Sequence, residues 1–256
     1  MKRSHRSFLR YGQISTLSFL ICACSSAGSD GETADDTSDT DTDTDSSADE
    51  SNTATGDEDP GTALRSYQVE VWADNWSSMY LDETLLMEDA EPITQERSFN
   101  AEIFSFEATP PFGLNVIMKD FIENDSGLEY IGEPNQQMGD GGYIMQVTDM
   151  ESGERVVVSD ASWRCLTIHE APLNKECESS ASPLDDCEWE IGEEPDGWKS
   201  AAFDDAAWVA PSVYTSEQVQ PKEGYNEISW DPDAQFIWGA DLETHNTLLC
   251  RVTVEG

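Results

Sequence analysis

The chain has 256 residues, with 53 Asp and Glu against 13 Lys and Arg, for a formal net charge of −40. A field of that sign repels phosphate backbones and anionic headgroups, so it excludes nucleic acid and anionic lipid surfaces as partners. Neutral ligands, cations and basic proteins remain.

The chain opens with Lys2, Arg3, Arg6 and Arg10 and no acidic residue. An apolar stretch follows over 14–23, broken only by Ser15, Thr16 and Ser18. A charged start, a short apolar segment and small residues at its exit form the pattern of a secretory signal. That stretch is shorter than the roughly 20 apolar residues needed to span a bilayer. Ile21-Cys22-Ala23-Cys24, followed by Ser25, is similar to the bacterial lipobox, and Cys24 is the candidate for lipidation. The alternative is an ordinary signal cut after Ala23. The expectation is an extracytoplasmic protein held in the envelope by a lipid anchor, and Ser25 in place of Asp directs it to the outer membrane. Removing residues 1–23 leaves 9 Lys and Arg against 53 acids, or −44.

From 24 to 62 the composition changes to Asp, Ser, Thr, Gly and Ala, centred on Asp39-Thr40-Asp41-Thr42-Asp43-Thr44-Asp45. Such a segment lacks the apolar surface to offset the entropy of ordering, and like charges stretch it. It reads as a disordered tether. An EF-hand loop counted from Asp41 needs Gly at its sixth place and Glu at its twelfth. Ser46 and Asn52 stand there, so that motif fails.

Residues 63–256 are enough for one domain with a sizeable core. Tyr67, Val69 and Val71 alternate with polar residues, as do Leu248, Cys250, Val252 and Val254. Shorter runs occupy 79–86, 99–106, 114–121, 143–147, 155–158, 163–168 and 236–238. Pro110-Pro111, Asp140-Gly141-Gly142 and Ser152-Gly153 punctuate them. Short alternating runs at this spacing predict an all-β sandwich.

With Cys24 lipidated, Cys165, Cys177, Cys187 and Cys250 remain, an even number in an exported chain, and three connectivities are possible. Cys177 and Cys187 bracket a polar loop and suit a local bridge. Cys165 and Cys250 lie within strand-like runs and suit a cross-link between strands. No Cys-x-x-Cys is present to suggest zinc.

Three segments carry a resemblance. Val71-Trp72-Ala73-Asp74-Asn75-Trp76-Ser77-Ser78-Met79-Tyr80-Leu81 resembles the opening of galactose-binding-like β-sandwiches, with Asp82-Glu83 in place of their Asn-Gly turn. Val157-Val158-Ser159-Asp160-Ala161-Ser162-Trp163 is similar to a strand and turn of the same modules. Gly197-Trp198 with Phe203-Asp204-Asp205 and Trp208 resembles their Phe-Asp-Asp box. In order and spacing the pieces are most similar to the N-terminal accessory domain of bacterial α-L-rhamnosidases. The resemblance implies a jelly-roll sandwich and a glycan context. It carries over no catalysis, because those enzymes keep their catalytic acids in a separate barrel. Read physically, Phe203 and Trp208 are anchors for a turn in which Asp204 and Asp205 accept backbone N–H groups.

The longest loop, 120–142, carries Asp120, Glu123, Asn124, Asp125, Glu129, Tyr130, Asn135 and Asp140. Carboxylates and amides at that density suit a hydroxyl-rich ligand or a calcium ion, both of which need several oxygens in a small volume. The ligand-binding candidates are Asp120, Asn124, Asp125, Glu129 and Tyr130; the calcium candidates are Asp120, Glu123, Asp125 and Asp140. Trp76 and Tyr80 offer a platform for the apolar face of a sugar, or else belong to the core. His169 and His245 stand in no metal or triad spacing, and no nucleophile elbow, phosphate loop or HExxH helix is present. The expected function is therefore a non-catalytic carbohydrate-binding module of a surface lipoprotein, capturing a neutral glycan with a structural calcium. The alternative is a structural or adhesive envelope lipoprotein that binds a protein partner.

Overall fold

The structure is a computed structural model that describes residues 63–93 and 99–255. The signal, the lipidation at Cys24 and the tether over 24–62 lie outside the described residues. The strands in chain order are β1 (Arg65–Asp74), β2 (Trp76–Leu81), β3 (Thr84–Glu88), β4 (Ala101–Ala108), β5 (Phe112–Lys119), β6 (Leu128–Glu129) and β7 (Gln137–Met138). They continue with β8 (Gly142–Asp149), β9 (Arg155–Val158), β10 (Arg164–Glu170), β11 (Glu190–Ile191), β12 (Ser212–Tyr214), β13 (Phe236–Trp238) and β14 (His245–Val254). Two single-turn helices, α1 (Pro183–Asp186) and α2 (Ser216–Val219), lie in the connections.

The fold is all-β. One sheet runs β12-β13-β8-β1-β4, with β9 also on β8; the second runs β11-β10-β14-β5-β2-β3, and β6 and β7 pair as a small two-stranded sheet within the 120–142 segment. The chain changes sheet after β1, β3, β4, β5, β9, β11 and β13, which is the alternation of a jelly-roll sandwich. The hairpin of β2 and β3 turns at Asp82, whose φ of 46° is left-handed, where the sequence places Asp82-Glu83.

Period-two alternation builds the core. Tyr67, Val69, Val71 and Ala73 on β1 face Leu114, Val116 and Met118 on β5, with Met145, Val147, Trp163 and Leu248 around them. Both sheets are also covered on their outer faces, so their central strands read as near-continuous apolar runs. Over the first sheet, Val219, Tyr225, Trp230 and Phe236 pack on Trp72 and Ile144. Over the second, Trp198, Phe203 and Trp208 pack on Ile117 and Leu249.

That second cover is the Phe-Asp-Asp box, and its anchors meet as expected, with Phe203 and Trp208 ring centroids 5.6 Å apart. Asp204 Oδ1 accepts the N–H of Ala206 at 3.0 Å. Asp205 differs from expectation: its side chain accepts Arg251 Nη1 at 2.8 Å rather than a backbone N–H. Arg251, on β14, also donates to the carbonyls of Phe203 and Ser200 and to Asn115 Oδ1. One guanidinium therefore fastens the cover to the sheet; its planar fork of donors makes this possible, and a lysine has no equivalent.

The structure contains two disulfides. Cys165–Cys250 joins directly opposed residues of β10 and β14, and Cys177–Cys187 closes the polar loop that holds α1. No helix among the described residues is long and apolar enough to cross a membrane.

Asp149 shows how the turns are held. It ends β8, is 1% exposed, and accepts the N–H groups of Glu151 at 2.8 Å and Ser152 at 3.1 Å and Nη1 of Arg65 at 3.3 Å. The Ser152 N–H first, with Glu151 and Arg65, outweighs burial and holds this carboxyl below its ordinary value. A depressed folded-state pKa gives stability that is present above the unfolded value of about 3.9 and is lost as pH falls through the folded one. Asp149→Asn should therefore be less stable than wild type at neutral pH, and the gap should close as pH drops below about 4. Denaturant unfolding across pH checks this; a gap independent of pH would contradict it.

Candidate metal centre

Asp74 closes β1, Asp120 follows β5 and Asp140 precedes β8, so all three reach the same end of the sandwich. One carboxylate oxygen from each lies within 4.8 Å of the others. Oxygens that share one calcium ion, each at about 2.4 Å, lie no more than about 4.8 Å apart, so the set fits a single ion.

Local hydrogen bonds fix the three positions. Asn75 N donates to the carbonyl of Lys119 at 2.9 Å, and Asn75 Oδ1 accepts Phe121 N at 2.6 Å, which bridges the ends of β1 and β5 across Asp120. Asp120 N donates to the carbonyl of Asn246 on β14 at 2.9 Å. Asp140 is flanked by glycines for a steric reason. A Cβ on Gly139 would lie 1.6 Å from Asp120 Oδ2, and one on Gly141 would lie 2.2 Å from the Trp238 ring. The space around Asp120 exists only because residue 139 has no side chain.

Asp74 is 0% and Asp120 2% exposed, and among the described residues neither oxygen of either carboxylate has a hydrogen-bond partner. Desolvation, with Asp140 adding to it, raises the Asp74 carboxyl well above the usual range. Burial first, then Asp74, Glu129 and Asp140, does the same to Asp120. Glu129, buried and accepting Gln137 Nε2, is pushed up to about 7 by desolvation, with Asp140 contributing. Among the described residues, the cation reaching the group is Lys222, whose Nζ is 3.2 Å from Asp140 Oδ2 and 3.6 Å from Asp74 Oδ2. Burial works against its charge, but Asp74 and Asp140 outweigh that and raise its pKa.

Of the calcium candidates in the 120–142 loop, the structure brings together Asp120 and Asp140, and the third member is Asp74. Glu123 and Asp125 lie outside the set. Asn124 Oδ1 accepts Ser126 N, which turns the chain so that Glu123 caps Ile131 N and the Asp125 carbonyl meets His169 Nε2. Of the ligand-binding candidates, Asp120 and Glu129 belong to this acidic end. Asn124 makes the turn, Asp125 is exposed, and Tyr130 is half-buried with a φ of 52°. Trp76 and Tyr80 lie elsewhere, packed against the cover of the second sheet. Lys119 Nζ stands 4.9 Å from the Trp76 ring centre, and Lys199 Nζ stands 4.1 Å from that of Tyr80. His169 is buried.

Sequence reading missed Asp74 and Lys222 as site residues. The signal for Asp74 was its place two residues after Trp72, in phase with a buried outer face at the end of a strand. Lys222 had no signal of its own beyond being a rare cation among acids.

Comparison of this chain with models of known protein families, with curated proteins and with solved structures finds no match. Fold and site together define an antiparallel β-sandwich with an oxygen-lined, acidic centre at one end. Its ligand atoms are all hard oxygens, with no His or Cys among them, which suits calcium and not zinc.

A buried carboxylate without a partner destabilises the fold that holds it. Asp120→Asn should therefore stabilise the protein in chelator by about 1–3 kcal/mol, and it should abolish any stabilisation by added calcium. Thermal unfolding with chelator and with calcium reads both; a lower melting temperature in chelator would count against the reading.

Proposed function

We propose that residues 63–256 form a non-catalytic glycan-binding module of an envelope lipoprotein, with the loop end of the sandwich organised by calcium on Asp74, Asp120 and Asp140. The observation that carries this is the pair of buried aspartates whose four oxygens have no hydrogen-bond partner among the described residues. A structural dication satisfies them and ties the 120–142 loop to the ends of β1 and β5. Outside that centre, the loop presents Asp125, Glu133 and Asn135 toward solvent, groups that hydrogen-bond sugar hydroxyls. The resemblance to rhamnosidase accessory sandwiches supports a glycan as the ligand, and the charge of the chain favours a neutral one. Disulfides belong to oxidising compartments outside the cytoplasm. In this reading Cys24 carries the lipid, and 24–62 sets the module off from the outer membrane.

A glycan array probed with the folded protein tests it. The expected result is retention on neutral glycans in calcium and its loss in chelator. A blank array with folded, calcium-loaded protein would overturn the glycan reading, and retention unaffected by chelator would overturn the role of calcium.

A further inference from the structure

Lys222 is an incomplete counter-ion. Its ammonium is within hydrogen-bonding distance of Asp140, stands beyond that distance from Asp74, and leaves both oxygens of Asp120 without a partner among the described residues. Among the described residues, one positive charge thus stands against three clustered carboxylates, with Glu129 as a fourth nearby. A calcium ion brings a second charge and accepts 6–8 oxygens, so it can serve all three aspartates at once. It cannot do so beside the ammonium, because both draw on the carboxylates of Asp74 and Asp140 and repel each other at contact distance.

The lysine also has somewhere to go. Its side chain is 39% exposed, and Nζ already lies 4.3 Å from the centre of the Phe99 ring. Its backbone, by contrast, is held. Val219 is buried against Gly142, and the carbonyl of Glu223 accepts Trp72 Nε1 at 2.8 Å. The chain bends on either side, at Gln220 with φ 51° and at Gly224 with φ 84°. A side-chain swing toward Phe99 and solvent therefore vacates the carboxylates without unfolding the segment.

We propose that Lys222 is a tethered competitor for the calcium site: it neutralises part of the cluster when calcium is scarce, and calcium must displace it to bind. This rests on the calcium reading above and adds a regulatory consequence. Exchange with an internal cation weakens the site and shifts it toward the 10⁻⁴–10⁻³ M range typical of extracellular calcium modules. The site would then fill outside the cell and stay empty at low calcium.

Calcium chloride titrated calorimetrically into the full chain, stripped by chelator, tests the exchange against Lys222→Gln. The variant should bind more tightly by roughly tenfold, a size usual for coupled binding events. Equal or weaker binding by the variant, with wild type still binding, would overturn the exchange and leave the calcium site standing. No binding by either protein would overturn both. A second measurement needs no variant: the rate at which an amine-reactive ester acylates Lys222 in wild type, read by peptide mass spectrometry. Calcium should accelerate it by freeing the amine from its carboxylates; an unchanged or slower rate contradicts displacement.

Discussion

Two aspartates buried without hydrogen-bond partners are the constraint around which this molecule is arranged. Taking a carboxylate out of water is unfavourable unless a charge or several donors replace the lost hydration. Asp74 and Asp120 have neither in full. Four strand ends and a long loop nonetheless converge on them, and Gly139 gives up its side chain so that Asp120 fits. An arrangement that costs stability as it stands is readily understood if a dication completes it.

The rest of the sandwich supplies the rigidity such a centre needs. The inner core fixes β1 against β5 and β8, which sets the positions of Asp74 and Asp120. Cys165–Cys250 and the Arg251 fork tie β14 to β10 and to the Trp198–Trp208 cover, and β14 in turn holds Asp120 through the carbonyl of Asn246. On the opposite outer face, the segment that packs Val219, Tyr225 and Trp230 onto Trp72 also delivers Lys222. The covers on the two sheets therefore do different work. One stiffens the frame, and the other brings a cation to the acidic end.

Much of the fold was legible because it follows local rules. Alternation gave β1 and β14 their places, and the positions of the cysteines suggested the pairs that form. The Phe203 and Trp208 anchors were readable as bulky residues bracketing a turn. The site was only half legible. Asp120 and Asp140 share a loop, so their proximity could be guessed, but the turn at Asn124 sends Glu123 and Asp125 away, and no spacing rule foretells that path. Asp74 lies 46 residues before Asp120 and Lys222 much further along the chain. Sheet register joins Asp74 to Asp140, because β1 runs beside β8 with Asp74 opposite Gly142, whereas Asp120 follows a strand of the other sheet and Lys222 comes on the segment packed over Trp72. Asp205 was likewise misassigned to a backbone donor, because its partner, Arg251, comes from a distant strand.

The calcium ion we propose would sit among Asp74, Asp120 and Asp140. Diffraction from crystals grown with calcium, with a parallel soak in a lanthanide for its strong anomalous signal, tests it most directly. The account predicts one peak bounded by oxygens of all three aspartates at about 2.3–2.6 Å, with the Lys222 ammonium withdrawn from them. Crystals with an empty cluster and Lys222 still against Asp140 at millimolar calcium would contradict it.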